Sequence, residues 1–461
     1  MVTSKDLHDL IEGTLQNFKA RLMKNIQDKK SFWSDDEYGE GLQNRVEGLE
    51  AFFIPFYSKD FNGVSKYISA DDLKKEIENI YNIVKSDGFK PTPYIESDLE
   101  EILKKHIKKH DFIDSVSYTL TTIVAGMLCL NNAGKLDGNT NEMSIYLLKK
   151  CIKWLTESHN PNGGWTGFSE VINISNIYAT WSALSVIPEV NVILAEKFRI
   201  DDDLKNLSKQ LIKISFDCKK WLLEFGKVQG KYWDCDTQDG AARGVIYTVY
   251  GLDTLYLLEA HNEKAGFDLM IDTLERIVTV WDDYKEKFMT QEVHALPAEL
   301  DKKGNPILIK YEDSSILTVS IKAVSRFAYI LKSKQLNNDI LVKSERLLSE
   351  MYEDLIQKRL KDNLWTDTGG RFSIYVTERV IEALVAYEKF LTPIVQKQDL
   401  ITDKIDSILS KIDLIENLVK SIDARIAKIE SIVIIEDLDP DTKEQLDQVN
   451  NVINTLPNKK K

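Results

Sequence analysis

The chain has 461 residues, 43% hydrophobic and 29% charged, with a net charge of −13; this suits one large soluble repeat domain of roughly 390 residues plus an appendage. Such an acidic balance argues against a nucleic-acid partner, because releasing phosphate counterions needs clustered Lys and Arg. No run of about 18 apolar residues suggests a membrane span, and the start, MVTSKDLHDLIEG, lacks the basic and apolar regions of a secretory signal, so a cytoplasmic location is expected.

Leu7, Leu10, Ile11, Leu15, Phe18, Leu22 and Ile26 stand at helical spacing and predict a first outer helix over 6–27. The turn 31–41 (SFWSDDEYGEG) leads to a first inner helix over 42–57. A second outer helix over 71–85 is capped by Ser69, and Pro91 and Pro93 break the chain after it. Its inner partner, 114–130 (DSVSYTLTTIVAGMLCL), is apolar or small nearly all round, as a helix inside a larger bundle should be. The third pair lies within 149–184: a helix ending at Ser158, a turn over 160–164 (NPNGG), Trp165, then a helix of small and aromatic residues. The fourth pairs 203–225 with 241–260 across the acidic turn 234–240, and the sixth pairs 336–360 with 372–391. Between them, 267–287 and 314–331 are joined by a polar loop over 288–313, long enough to be more often functional than idle.

Cys129, Cys151, Cys218 and Cys235 form no C-x-x-C pair and are expected to be buried thiols in a reducing compartment. His106 and His110 stand four apart among lysines, a solvated basic face rather than a zinc site. No metal and no cofactor are expected.

One helical hairpin cannot bury its own apolar face, so the unit has to be repeated. Trp33, Trp165, Trp233 and Trp365 each follow an amphipathic helix, at separations of 132, 68 and 132 residues. These fit a period of about 66 and its double, with degenerate units at Tyr94–Leu99 and His294–Leu300. The halves also superpose at an offset of 200: Leu22 on Leu222, Trp33 on Trp233, Asp36 on Asp236, Leu155 on Leu355, Trp165 on Trp365. The reading is an all-α chain, an (α/α)6 toroid of six helical hairpins with internal duplication, over residues 1–392.

Within the third unit, Trp154-Leu155, then His159, Gly163 and Trp165 resemble the QW repeat of the squalene and terpene cyclases, with His159 where the repeat has Gln. The resemblance, to the terpenoid cyclase and protein prenyltransferase toroids, covers roughly 1–392 and implies a site inside the toroid. The class II cyclases carry D-x-D-D before an inner helix; Asp236-Thr237-Gln238-Asp239 keeps the outer acids but has Gln238 in the middle, and glutamine cannot act as the acid. Asp282-Asp283-x-x-Glu286 is the candidate for an Asp-rich magnesium cluster, on an outer helix where a solvated face is expected. No cysteine has the carboxylate and histidine partners of the prenyltransferase zinc site.

Toroids of this kind also carry glycan hydrolases and lyases that work with two carboxylates. Asp114, Asp239, Asp313 and Asp367 all stand near inner-helix starts, where they either converge on one mouth of the toroid or cap their helices. Tyr118, Tyr178, Trp181, Tyr247, Tyr250 and Tyr375 are candidates to stack on a sugar or line a cavity, or else belong to the core. Arg243, placed just inside the fourth inner helix, is costly to bury alone and should pair with Asp239 or Asp236.

After a linker over 393–399 the pattern changes. Ile405, Ile412, Val419, Ile426 and Val433 alternate with Ile401, Ile408, Ile415, Ile422 and Ile429, a heptad seam over 400–436 with β-branched residues at both core positions. Such a seam favours three or four strands over two. Residues 437–461 are expected as a short terminal helix and a basic tail. The combined expectation is a non-catalytic, multivalent binding or scaffold protein, a trimer or tetramer whose toroid mouth takes another protein or a small ligand. The alternatives are an enzyme of terpenoid-cyclase-like or glycan-hydrolase or lyase type, and a sensor subunit of a larger bacterial assembly.

Overall fold

The computed structural model describes residues 2–34, 41–56, 61–90, 112–161, 163–166, 175–195, 197–229, 233–234, 243–289, 291–294, 308–311, 315–336, 338–360, 364–365 and 372–392, together with 440–441, 443–445 and 447–448. Two compact units divide the chain, Met1–Thr392 and Pro393–Lys461. The described residues of the second unit are helical. The heptad seam over 400–436 and the linker before it lie outside the described residues.

The first unit is built from helical pairs. Its outer helices are α1 (Ser4–Gln27), α4 (Ala70–Asp87), α6 (Gly138–Glu157), α9 (Asp202–Lys227), α11 (Lys264–Met289) and α13 (Asn338–Gln357). The inner helices are α2 (Leu42–Phe53), α5 (Ile113–Asn132), α7 (Ile177–Leu184) continued by α8 (Ile187–Leu194), α10 (Val245–Leu257), α12 (Ser315–Lys334) and α14 (Ile374–Leu391), while α3 (Phe61–Ser65) is a single turn in a connection. Side-chain caps fix several starts: Thr3 and Asp6 form a reciprocal box on α1, and Ser69, Asp137, Asp201 and Ser373 cap α4, α6, α9 and α14.

The inner helices touch in cyclic order, α2 to α5, α7, α10, α12, α14 and back to α2. The outer helices α6, α11 and α13 each pack chiefly against the inner helix of the pair before them, α4 leans on α6 and on its own partner α5, and α1 rests on α14 and closes the ring. The described residues thus form an all-α toroid of paired helices with apolar packing between its two layers.

The duplication is visible in the tryptophans. Trp33, Trp165, Trp233 and Trp365 are all buried to 1% exposure or less. Trp33 and Trp233 press on glycines of inner helices: a Cβ on Gly48 would lie 2.4 Å from the Trp33 ring, and one on Gly251 2.5 Å from Trp233. His159 and Trp165 join in an isolated antiparallel bridge, with their rings edge to face at 4.8 Å.

Several expectations need correction. The fourth inner helix starts at Val245, not at 241, because Arg243–Gly244 is a strand, β2, paired antiparallel with β1 (Trp233–Asp234). The third inner helix ends at Leu184, where the sequence placed it, and a further helix, Ile187–Leu194, follows after a break at which Pro188 has no N–H for the Leu184 carbonyl. The polar connection 288–313 is not all loop: α11 runs on to Met289, and Gln291–His294 (β3) pairs with Leu308–Tyr311 (β4). Two helical stretches, Ile113–Asn132 and Ile177–Leu194, are long and apolar enough to cross a membrane, contrary to the sequence reading. The first is fully buried within the ring, which accounts for its composition without a bilayer. Cys129, Cys151 and Cys218 are free and buried, and burial raises all three thiols; Cys235 lies outside the described residues.

Candidate functional site

The inner helices wall a cavity of about 390 Å³. Helical spacing places Glu378, Arg379, Glu382 and Lys389 of α14 on its wall, and Lys322, Ser325, Arg326 and Tyr329 of α12 beside them. Ser117, Tyr118 and Thr121 of α5, Trp181 of α7, Glu50 of α2 and Glu189 of α8 complete the lining with Tyr256 of α10. The chamber is therefore charged and aromatic, although the helices that form it are mostly apolar.

Its charges form a connected network. Asp253, fully buried, accepts from Trp181 Nε1 at 2.8 Å and from Arg326 Nη1 at 2.9 Å on each carboxylate oxygen. Lys322 Nζ lies 3.9 Å from Asp253 and closes an ion pair with Glu382, which also receives Arg379 Nη1 at 3.4 Å. Cations sit on ring faces as well: Lys322 is 5.1 Å from the Trp181 centroid, and Arg326 is 5.3 Å from that of Tyr256.

These surroundings split the carboxyls into two groups. Burial alone would raise Asp253 and Glu382, but Arg326 and Lys322 outweigh it at Asp253, and Lys322 with Arg379 and Arg326 outweigh it at Glu382, so both are held below the usual carboxylate range. Glu378 goes the other way, pushed by burial up to about 8 against the pull of Arg379. Glu50 is raised well above the ordinary range by loss of water and by repulsion from Glu378 and Glu382, despite a 2.8 Å bond from Thr121. Glu47, fully withdrawn from water behind Gln43, is raised in the same way. Neutral and ionised acids thus stand side by side in one chamber.

The residues singled out in the sequence are distributed unevenly. Tyr118 and Trp181 line the chamber. Tyr250 backs Trp181 at 4.7 Å and Tyr178 at 5.2 Å, and Tyr375 lies 5.3 Å from the Arg379 guanidinium. Tyr247 is buried in α10. Asp114 does not cap its helix: α5 starts from Phe112 without a side-chain cap, and the buried Asp114 accepts from Tyr178 Oη and Ser182 Oγ of the next inner helix. Arg243 is in β2 rather than inside α10. Asp236, Asp239, Asp313 and Asp367 lie outside the described residues. Asp282 is on the outer layer, bound to Arg346 at 2.8 Å. Among the described residues no three His, Cys, Asp or Glu side chains converge as a metal cage.

Sequence reasoning missed Glu47, Glu50, Asp253, Lys322, Arg326, Glu378, Arg379 and Glu382. The signal was present: inner helices are otherwise apolar or small, so a charge within one is a buried charge that requires a partner. Lys322 and Arg326 stand four apart, as do Glu378 and Glu382, which puts each pair on one helix face.

No family model matches the chain, and no curated protein matches it. Solved structures do. A family 76 glycoside hydrolase from a bovine Bacteroides thetaiotaomicron strain is 11% identical over 76% of this chain and 69% of its own, with a TM-score of 0.44. A possible member of the GH105 family from Salmonella enterica serovar Paratyphi A is 9% identical over 85% of this chain and 95% of its own, at 0.45. Cellobiose 2-epimerase from Bacillus thermoamylovorans is 9% identical over 76% and 88%, at 0.43. These are likenesses to six-hairpin toroids, of fold alone, and nothing in them singles out the terpenoid cyclases.

Proposed function

We propose that the toroid is a ligand-binding protein whose inner chamber takes a small polyhydroxylated molecule, a sugar or short glycan. One observation carries this reading. Ser117 Oγ, Ser325 Oγ and Arg379 Nε are buried without a hydrogen-bond partner among the described residues, Tyr118 and Glu378 have little besides each other, and all five residues line the same cavity. Buried polar atoms are nearly always paired, and leaving one unmet costs about 1–3 kcal/mol. A ligand rich in hydroxyls meets both the donors and the acceptors in this set. A hydrocarbon would leave the same atoms unmet beside Lys322 and Arg326, which weighs against the terpenoid reading. Titration calorimetry of the full chain with a panel of monosaccharides and short glycans tests this. Saturable binding that Trp181→Ala weakens at least about tenfold is expected, and a panel with no binder overturns the reading.

A catalytic version is favoured by the opposed carboxyls. Hydrolysis of a glycosidic bond needs one neutral acid and one ionised carboxylate; Glu50 is held neutral and Glu382 ionised on the walls of the same chamber. Release of reducing sugar from a bound glycan, abolished in Glu50→Gln with binding retained, is the expected sign, and binding without turnover leaves the protein a receptor. Multivalent display belongs to the same proposal: the heptad seam over 400–436 would gather three or four chambers and add avidity.

A further inference from the structure

Arg379 is a cation of the chamber whose neighbours satisfy it incompletely. Only 5% exposed, its guanidinium lies 4.8 Å from the Trp181 centroid and 5.3 Å from those of Tyr118 and Tyr375. Ring faces stabilise a cation without occupying its N–H groups. Of its five N–H donors, Nη1 reaches Glu382 at 3.4 Å, and Nε has no hydrogen-bond partner among the described residues.

The acids nearby are already engaged. Asp253 takes both bonds from Arg326, and Glu382 pairs with Lys322 and lies 3.8 Å from Arg326 as well. What remains for Arg379 is Glu378, whose Oε2 lies 3.7 Å from Nε, beyond a hydrogen bond, and whose carboxyl is also approached by the Tyr118 hydroxyl. Burial holds Glu378 up to about 8, so at neutral pH it carries a proton and offers a donor, not a charge. A guanidinium and a neutral carboxyl side by side on a chamber wall present donors to one anion. Tyr118 and Ser117 of α5 stand on the same cavity lining, and the Ser117 hydroxyl is unmet among the described residues.

We infer that the molecule bound in the chamber is a sugar acid, and that Arg379 receives its carboxylate; this rests on the chamber reading above. The guanidinium edge matches a planar carboxylate in a bidentate pair. An incompletely paired cation also suits a monoanion better than a phosphate ester, which brings up to two charges at neutral pH onto a wall that already holds Glu382.

Calorimetry of the full-length protein at pH 7 with matched probes decides it: glucose against glucuronate, galactose against galacturonate, and glucose 6-phosphate. The expected result is an acid bound at least about tenfold more tightly than its neutral partner, with that preference lost in Arg379→Gln while the neutral sugar still binds. Because Arg379→Gln removes a buried charge and can disturb folding, the comparison of matched probes on the unaltered protein stands as a test by itself. A neutral sugar bound as tightly as its acid overturns this inference and leaves the chamber reading in place. Glucose 6-phosphate bound more tightly than either uronate overturns the carboxylate assignment. Failure of every probe to bind overturns both readings.

Discussion

Trp165 Nε1 donates to the main-chain carbonyl of Leu155 at 2.7 Å, and two hundred residues later Trp365 makes the same bond to Leu355 at 3.0 Å. Both acceptors lie in the last turn of an outer helix, among the carbonyls a helix leaves without an internal partner. The indole therefore ends the outer helix and anchors the turn that follows it. Replacing either tryptophan by Phe should cost about 1–3 kcal/mol for the lost indole hydrogen bond and the smaller ring. Urea unfolding of Trp165→Phe and Trp365→Phe reads this, and losses that differ by more than about 2 kcal/mol between the two would argue against equivalent roles in the two halves.

Gly48 and Gly251 should tolerate no side chain. Both sit in inner helices, where alanine is intrinsically favoured over glycine by about 1 kcal/mol. Against this, an added Cβ meets Trp33 at 2.4 Å or Trp233 at 2.5 Å, and neither fully packed indole has room to withdraw. Gly48→Ala and Gly251→Ala should each lose about 1–3 kcal/mol net through overpacking. A gain in melting temperature for either would show that the indole has space to shift.

These tryptophans explain why so much of the fold was legible in the sequence. Their spacing follows from the hairpin period, and outer helices such as α1 and α9 write their buried stripe as a 3.6-residue pattern. The chamber was harder to read because α5 is buried on every side, so periodicity cannot say which face points inward. Attention went instead to acids at inner-helix starts, and Asp114 proved to be a cross-helix acceptor for Tyr178 and Ser182. The charges that matter lie mid-helix. Lys322 and Arg326 interrupt an otherwise apolar and small run in α12, and their partnership with Asp253 of α10 and Glu382 of α14 crosses from one inner helix to another, which pattern alone does not encode.

Stability should fall as pH rises toward 8, and Glu378 is one cause. Its carboxyl titrates near the ordinary value of 4.5 when unfolded and about 8 when folded. Between those values the folded chain binds the extra proton, so this group favours folding most at the acid end of the window and loses that contribution as pH approaches 8. Glu47 and Glu50, shifted in the same direction, add to the slope. Asp253 and Glu382 contribute the opposite sign on the acid side of 4.5, and His159 and His261, lowered by burial, contribute it below the ordinary 6.5. Melting temperatures from pH 7 to 8 should therefore decline for the unaltered protein and decline less for Glu378→Gln. Equal slopes would mean that Glu378 is already ionised throughout.

Removing residues 394–461 should leave a folded, monomeric toroid. The ring is closed within Met1–Thr392 by α1 against α14 and by α14 against α2. The ten β-branched seam residues from Ile401 to Val433 have no toroid counterpart in the repeat, and their heptad spacing calls for a partner helix. Light scattering of the full chain should give three or four copies, and of the truncated chain one copy with an unchanged helical circular-dichroism signal. An oligomer that survives truncation would move the self-association surface to the toroid. A full-length monomer would instead make the seam a docking helix for some other chain, and the avidity of several chambers would go with it.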